Sequence, residues 1–121
     1  MLTDSNLIIY AASGKQPNLV KWFLENELSV SAVSMVETLG YHKLNRREKT
    51  ALDTIFSTLT ILYPTPEIFQ TAIELRQLRL MALGDALIAA TALNDDSTLA
   101  THNTKDFSWI KSLTVLDPLQ A

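Results

Sequence analysis

Four acidic residues stand at equivalent points of this chain, each close to a short apolar segment that predicts a strand or a buried helix. They are Asp4, Glu37, Asp85 and Asp106. In a parallel α/β domain the strand ends and helix starts lie along one edge of the sheet, so these side chains are expected to converge there. Because clustered carboxylates repel one another, such a site requires a cation. Oxygen ligands favour a hard divalent ion such as Mg²⁺ or Mn²⁺.

The elements that must position these acids alternate between strands and helices. The sequence predicts strands at residues 1–4, 28–32, 60–63, 99–100 and 114–116. It predicts helices at residues 5–12, 17–26, 34–42, 46–57, 65–80 and 86–93. This alternation predicts a central parallel sheet with helices on both faces. We expect the strand order 3-2-1-4-5, which places the topological switch point between strands 1 and 4, beside Asp4 and the segment that reaches Asp106.

Composition predicts one domain, residues 1–121, with 47% hydrophobic and 19% charged residues. Cysteine is absent, which excludes disulfides, thiolate zinc sites and cysteine nucleophiles. No apolar run approaches the roughly 20 residues that cross a bilayer, and no secretion signal is recognisable. We therefore expect a cytoplasmic protein without membrane contact. The net charge of −3 is not typical of a nonspecific nucleic-acid binder, although the four suspected site acids contribute to it.

Each acid also has a purely structural interpretation, because acids are favoured in the first turn of a helix. Asp4, Asp85 and Asp106 could each cap the helix or turn that follows. Ser34 and Glu37 have the spacing of a capping box, in which the glutamate bonds back to the N-cap residue. The joint pattern favours a site instead. Asp85 opens the least polar helix of the chain, so its carboxylate is expected near the core.

The other polar residues give weaker signals. His42 and His102 are far apart and lack a ligand-like spacing, so each is predicted to be a surface or hydrogen-bonding residue. The remaining acids, Asp117 among them, are predicted to be solvated. The chain has neither a glycine-rich phosphate loop nor a G-x-S-x-G nucleophile elbow. Candidate chemistry is therefore concentrated in the four carboxylates.

Four segments of the chain resemble the PIN-domain family, and within it the VapC-type toxins of bacterial toxin–antitoxin pairs. These segments are Leu2–Asn6, Ser34–Glu37, Gly84–Ala92 and Thr101–Phe107. The third is the most specific, whereas the first alone would be weak. The resemblance extends over essentially the whole chain.

This resemblance implies a Mg²⁺- or Mn²⁺-dependent ribonuclease. The acids of the family's metal site match Asp4, Glu37, Asp85 and Asp106. The neighbouring polar positions that support the site match Ser5, Asn6, Thr101 and Asn103. One or two metals would bind the scissile phosphate, and the sequence leaves their number open. Glu37 would either help to hold metal or orient and deprotonate the attacking water.

The resemblance also implies partners: an RNA substrate, a second copy in a homodimer, and an antitoxin whose peptide occupies the groove. Because the groove is acidic, we expect that peptide to insert an Arg or Lys among the four carboxylates. Its apolar side chains are expected near residues 22–24 or 36–39. Three residues depart from the family pattern: Ser5 replaces the more usual Thr, His102 stands where Arg is frequent, and Gly84 where Pro or Ser is common.

Two other classes of protein lack a residue that they need, and a third alternative stays open. A receiver domain needs a phosphorylatable Asp at the end of a central strand, but Asp53 lies in a helical pattern. A haloacid-dehalogenase-type phosphatase needs a second Asp two residues after Asp4, where Asn6 stands. A catalytically inactive PIN-like module that binds RNA or protein stays open, because the chain carries little positive charge.

Overall fold

The computed structural model describes residues 1–120, which form five strands and six α-helices. The strands are β1 (Leu2–Thr3), β2 (Ser29–Ser31), β3 (Thr60–Leu62), β4 (Leu99–Ala100) and β5 (Val115–Leu116). The helices are α1 (Ser5–Ala12), α2 (Pro17–Glu25), α3 (Ala32–Leu39), α4 (Arg46–Ser57), α5 (Pro66–Leu78) and α6 (Leu83–Asn94). A 3₁₀ turn, Thr104–Asp106, follows β4. The predicted domain of residues 1–121 ends on Ala121, which lies outside the described residues.

All strand pairs are parallel, and the sheet order is β3-β2-β1-β4-β5. In the register of the central strand, Leu2 is paired with Ser29 on one side and with Leu99 on the other. The predicted order 3-2-1-4-5 is therefore confirmed. The switch point between β1 and β4 is the position where a crevice opens at the carboxyl edge of such a sheet.

Helices cover both faces of the sheet, as predicted. Leu2 and Leu99 lie in a core formed with α5 and α6. Val30 and Ala100 lie in a second core formed with α1, α2 and α4. Helix α6 is buried on nearly all sides, from Ala86 to Ala92, which agrees with its apolar sequence. This buried helix fixes the position of its own first turn at the carboxyl edge of the sheet.

Several helix boundaries differ from the predictions, and helix α3 ends at Leu39 rather than at His42. Helix α3 begins at Ala32, because the Ser31 hydroxyl accepts a hydrogen bond from the Val33 N–H and caps the helix. Helix α5 ends at Leu78, which is 75% exposed, whereas the sequence predicts an end at residue 80. Helix α6 begins at Leu83, two residues before Asp85. Within residues 1–120, no helix has both the length and the apolarity to cross a membrane.

Candidate active site

Asp4 is the most buried of the four acids, with 4% of its surface exposed at the carboxyl end of β1. Its Oδ1 accepts a hydrogen bond of 3.0 Å from the Leu7 N–H and thereby caps α1. Its Oδ2 accepts from the hydroxyl of Thr101, which follows β4 across the switch point. The capping interpretation of Asp4 is therefore confirmed, but it accounts for only one of the two carboxylate oxygens.

Burial raises the pKa of Asp4 above its usual value. The hydrogen bonds from Thr101 and Leu7 oppose this rise in pKa, and the negative charge of Glu37 adds to it. A cation beside Asp4 would offset the cost of keeping this carboxylate ionised in a buried position.

Glu37 is held beside Asp4 through serine hydroxyls. The Ser5 Oγ lies 2.7 Å from Glu37 Oε1 and 2.9 Å from the Ser34 Oγ. Because a hydroxyl has one proton and an ionised carboxylate only accepts, Ser5 donates to Glu37 and accepts from Ser34. The capping-box interpretation of Ser34 and Glu37 is wrong, because Ser31 is the N-cap and Ser34 lies inside the helix.

Gly84, in the first turn of α6, touches the other oxygen of this carboxylate. A Cβ atom at position 84 would overlap Glu37 Oε2. The lack of a side chain at Gly84 therefore allows Glu37 to approach the start of α6. This contact places the Glu37 carboxylate next to the turn that carries Asp85.

Asp85 is partly buried in the first turn of α6, and it does not cap this helix. The N-cap position is Ala82, without a side-chain hydrogen bond, so the capping interpretation of Asp85 is wrong. Burial raises the pKa of Asp85, and the negative charges of Asp106, Glu37 and Asp4 raise it further, in that order. Because Gly84 lies against Glu37, Asp85 stands next to the Glu37 carboxylate at the edge of the sheet.

Asp106 is exposed and closes the 3₁₀ turn after β4. Two contacts of its neighbours hold this turn. The Trp109 Nε1–H donates a hydrogen bond of 3.0 Å to the Asp106 carbonyl, and Phe107 is buried with 1% exposure. The Asp106 carboxylate itself makes no hydrogen bond to any residue between 1 and 120, so it is free to turn toward a ligand.

The predicted supporting residues differ in how they contact the acids. Ser5 and Thr101 bond directly to the carboxylates of Glu37 and Asp4, as described above. Asn103 contributes through its main chain, because its N–H donates to the Thr101 hydroxyl at 3.0 Å. The Asn6 side chain is exposed and has no hydrogen-bond partner in the described part of the chain. The structure thus gives no contact between Asn6 and the acids.

Asp117 was missed at the sequence level. Its side chain is only 6% exposed rather than solvated, and its Oδ2 lies 3.0 Å from the Nδ1 of His102. Its negative charge contributes to the raised pKa of Asp4. Asp117 directly follows β5 just as Asp4 directly follows β1. This position after a strand is the signal that would have identified it.

The donor chemistry of the site fits a hard divalent cation, since it offers carboxylate and hydroxyl oxygens. Among residues 1–120, however, no three acidic or histidine side chains are grouped closely enough to hold one ion as they stand. The carboxylates of Asp4 and Glu37 each accept hydrogen bonds from neighbouring residues. Those of Asp85 and Asp106 accept none from residues 1–120. A cation would bind here either through bridging waters, several of which Mg²⁺ usually keeps, or after the carboxylates draw closer together.

Fold and site define a parallel α/β domain with acids gathered at its switch point. This chain belongs to the PIN-domain family, whose model matches residues 1–112. The resemblance inferred from the sequence motifs is thereby confirmed. Comparison with curated proteins gives no significant match.

Solved structures share the fold over nearly their full length. A toxin–antitoxin complex from Klebsiella pneumoniae contains a chain with 28% sequence identity and a TM-score of 0.80, and the match covers 99% of this chain and 98% of the other. VapBC2 from Rickettsia felis, bound to a promoter DNA fragment, gives 24% identity, a TM-score of 0.79 and coverages of 95% and 96%. FitAcB from Neisseria gonorrhoeae gives 24% identity, a TM-score of 0.77 and coverages of 99% and 99%.

Proposed function

We propose that this chain is a divalent-metal-dependent endoribonuclease that acts as the toxin of a toxin–antitoxin pair in the cytoplasm. The observation that carries the proposal is the geometry at the switch point of a PIN domain, where Thr101 bonds Asp4, Ser5 bonds Glu37, and Glu37 lies against Gly84, the residue before Asp85. The 28% identity to a chain of the Klebsiella toxin–antitoxin complex supports the assignment to toxins.

In this proposal Mg²⁺ or Mn²⁺ is held by Asp4, Asp85, Asp106 and Glu37. A bound ion supplies charge neutralisation at the scissile phosphate and a water of lowered pKa. Thr101 and the Leu7 N–H hold Asp4 in place and favour its ionised form against the effect of burial. Glu37, which Ser5 orients, would hold or deprotonate the attacking water.

The first test is cleavage of single-stranded RNA as a function of metal. We expect cleavage with Mg²⁺ or Mn²⁺, none in EDTA, and recovery when the metal is restored. Isothermal titration of Mn²⁺ into the protein gives a readout that does not depend on turnover. Cleavage that persists in EDTA, in protein free of contaminating nuclease, would overturn the metal-dependent assignment.

The antitoxin is proposed to occupy an apolar groove that leads to the acids. A cavity of about 250 Å³ lies between α1, α3 and α4, with Glu37 among its lining residues. Its apolar lining includes Ile9, Ala12, Tyr41 and Leu44. A partner helix or peptide would bury apolar side chains here and direct an Arg or Lys toward the four carboxylates. The groove adjoins the predicted docking region at residues 36–39.

Co-expression with the gene immediately upstream tests this partner. We expect the upstream product to copurify and to relieve toxicity, and replacement of one of its Arg or Lys residues by Ala to restore toxicity. Toxicity that persists without a copurifying protein would contradict an antitoxin encoded there.

A second copy of the chain is proposed to cover an exposed apolar surface on α5 and α6. Phe69 and Ile73 are each 51% exposed, and Leu80 and Leu83 are 97% and 61% exposed, around a shared cavity. Ile73→Glu should therefore convert a dimer to a monomer in light scattering coupled to gel filtration. Leu24→Glu is the matched control, because Leu24 is 71% exposed on α2, a helix that packs in the other core.

An inactive PIN-like module that binds RNA or protein is the second candidate function. The observation in its favour is that, in residues 1–120, no three possible ligands are grouped closely enough for one ion. RNA binding that is unaffected by Mg²⁺, without cleavage under any metal condition, would identify this alternative.

A further inference from the structure

His102 and Asp117 lie at the carboxyl ends of adjacent strands, next to the acids but outside their cluster. His102 comes directly after Thr101, whose hydroxyl donates to Asp4. Asp117 comes directly after β5, the strand that pairs with β4. Glu37 belongs to the helix after β2, on the other side of β1. A polynucleotide strand along this edge of the sheet would pass both the carboxylates and His102.

Several contacts fix the orientation of the His102 imidazole. Its Nδ1 lies 3.0 Å from Asp117 Oδ2, and Asp117 Oδ1 accepts a hydrogen bond of 2.9 Å from the Leu119 N–H. The ring makes a T-shaped contact with Tyr10 of α1, with centroids 5.9 Å apart at an interplanar angle of 78°. The side chains of His102 and Asp117 are 42% and 6% exposed, respectively. A buried carboxylate therefore holds an exposed imidazole in place.

This arrangement determines which hydrogen bond the exposed nitrogen can make. A carboxylate accepts but does not donate, so the Nδ1 of His102 carries the proton. In the neutral ring the Nε2 is then an acceptor, and it has no partner within the described residues. A phosphate oxygen cannot donate to this atom, and Asp117 repels anions. In its neutral state, the ring therefore favours a neutral hydroxyl or amino donor.

We propose that His102, oriented by Asp117, is a specificity residue that accepts a hydrogen bond from a ribose 2′-hydroxyl of the substrate strand. The inference rests on the proposed ribonuclease function. The 2′-hydroxyl is the donor that RNA has and DNA lacks. A carboxylate site with its cation recognises phosphates that both polymers share, so discrimination between them requires a further group.

Equilibrium binding tests this role without relying on turnover. In the Asp85→Asn background with Mg²⁺, fluorescence anisotropy compares short single-stranded RNA of mixed sequence with DNA of matched sequence. His102→Ala should lower the preference for RNA by roughly 3- to 10-fold, the scale of one hydrogen bond, and leave DNA binding nearly unchanged. His42→Ala is the matched control, since His42 also contacts a tyrosine, with ring centroids 5.1 Å apart, but lies in the loop after α3.

Asp117→Asn tests whether Asp117 acts through His102. An amide can donate to Nδ1 and so permits the other tautomer of the ring. The variant should lower the RNA preference in the same direction, and the double variant His102→Ala, Asp117→Asn should lose no more than His102→Ala alone. Thermal unfolding of each variant identifies a loss of folding, and His102→Ala stands as an independent test if Asp117→Asn is unstable.

An RNA preference that His102→Ala leaves unchanged would overturn the inference. Equal losses for RNA and DNA would also overturn it, because they would indicate a phosphate contact. RNA cleavage by the chain without substitutions distinguishes this outcome from a failure of the proposed function. If that chain cleaves RNA and His102→Ala leaves the RNA preference unchanged, only the role of His102 is rejected.

Discussion

The two halves of the candidate site are built differently. Asp4 and Glu37, here the anchored half, accept hydrogen bonds from Thr101, the Leu7 N–H and Ser5. Asp85 and Asp106, the open half, have carboxylates without hydrogen bonds among residues 1–120. The anchored half has its geometry before any ligand arrives, whereas the open half has freedom to move. A cation that binds without bridging waters would therefore draw Asp85 and Asp106 toward Asp4 and Glu37.

Removing one charge from the open half should have the largest effect. We expect Asp85→Asn to lower RNA cleavage by roughly 10²- to 10³-fold, the scale for loss of one preorganised electrostatic group. The melting temperature of the metal-free protein should rise, because like charges and burial disfavour this carboxylate. Both quantities are measured on the same preparation.

Asp53→Asn is the matched control, since Asp53 is exposed on α4 and pairs with Lys49. It should leave cleavage unchanged. Retained cleavage in Asp85→Asn, together with a lower melting temperature, would mean that Asp85 serves the fold and not the site.

Weakening the anchored half should have an intermediate effect on metal affinity. Thr101→Val preserves shape but leaves Asp4 Oδ2 without its donor, so Asp4 is harder to keep ionised and less well oriented. Affinity for Mn²⁺ should fall by roughly 10- to 100-fold, as for other residues that support a metal ligand. Isothermal titration measures it.

Thr91→Val is the control for this change. Thr91 is also buried, but its hydroxyl donates to the Leu87 carbonyl within α6. Equal affinity losses in Thr101→Val and Thr91→Val would show that the effect comes from packing in general.

Adding a methyl group at Gly84, where the helix that carries Asp85 meets Glu37, should have a smaller effect on activity. In Gly84→Ala the added methyl displaces the Glu37 carboxylate, which weakens its bond to Ser5 by about 1 kcal/mol. Helix α6 should nevertheless become slightly more stable, because alanine is a better helix former than glycine. We expect cleavage to fall while the melting temperature holds or rises.

Ser5→Ala provides the comparison for Gly84→Ala. If both act on the Glu37–Ser5 bond, the double variant should lose less cleavage activity than the sum of the two single losses. Additive losses would show that Gly84 acts on something other than this hydrogen bond.

The pH dependence of stability should give the smallest signal. The pKa values of Asp4 and Asp85 are raised in the folded state. At a pH between the unfolded-state and the folded-state pKa of each group, the native protein therefore binds more protons than the unfolded chain. The contribution of these two groups to stability therefore increases as the pH falls through the folded pKa toward the unfolded one. Denaturant titrations in EDTA at several pH values measure this increase in stability. The increase should be smaller in Asp85→Asn than in the chain without substitutions.

The strand order and the face-by-face burial followed from sequence because they depend on patterns that extend over many residues. Strand–helix alternation predicted the sheet, and the apolar run after Asp85 predicted a buried α6. Helix ends were less predictable. Ser31 and Ser34 are both suitable caps, and only the end of β2 determines that Ser31 is the N-cap.

The hydrogen bonds of the site were beyond sequence reasoning, because they join residues that are distant in the chain. Ser5 bonds Glu37 and Thr101 bonds Asp4 only because β1, α3 and β4 meet at one edge. Asp117 was misjudged for the same reason. From the sequence alone, a single acid before a proline is predicted to be solvated. Asp117 is instead in contact with His102, because β5 pairs with β4.

Asp4 serves both the cap of α1 and the acid cluster, and these two roles have an evolutionary consequence. Because one of its oxygens starts α1 while the other belongs to the acid cluster, its loss harms both folding and chemistry. Asp85 and Asp106 carry no such second duty in the described structure. Among survivors of overexpression that still accumulate soluble protein, inactivating substitutions should therefore concentrate at Asp85 and Asp106 and avoid Asp4. The easiest evolutionary path from a toxin to a harmless binding protein passes through the open half.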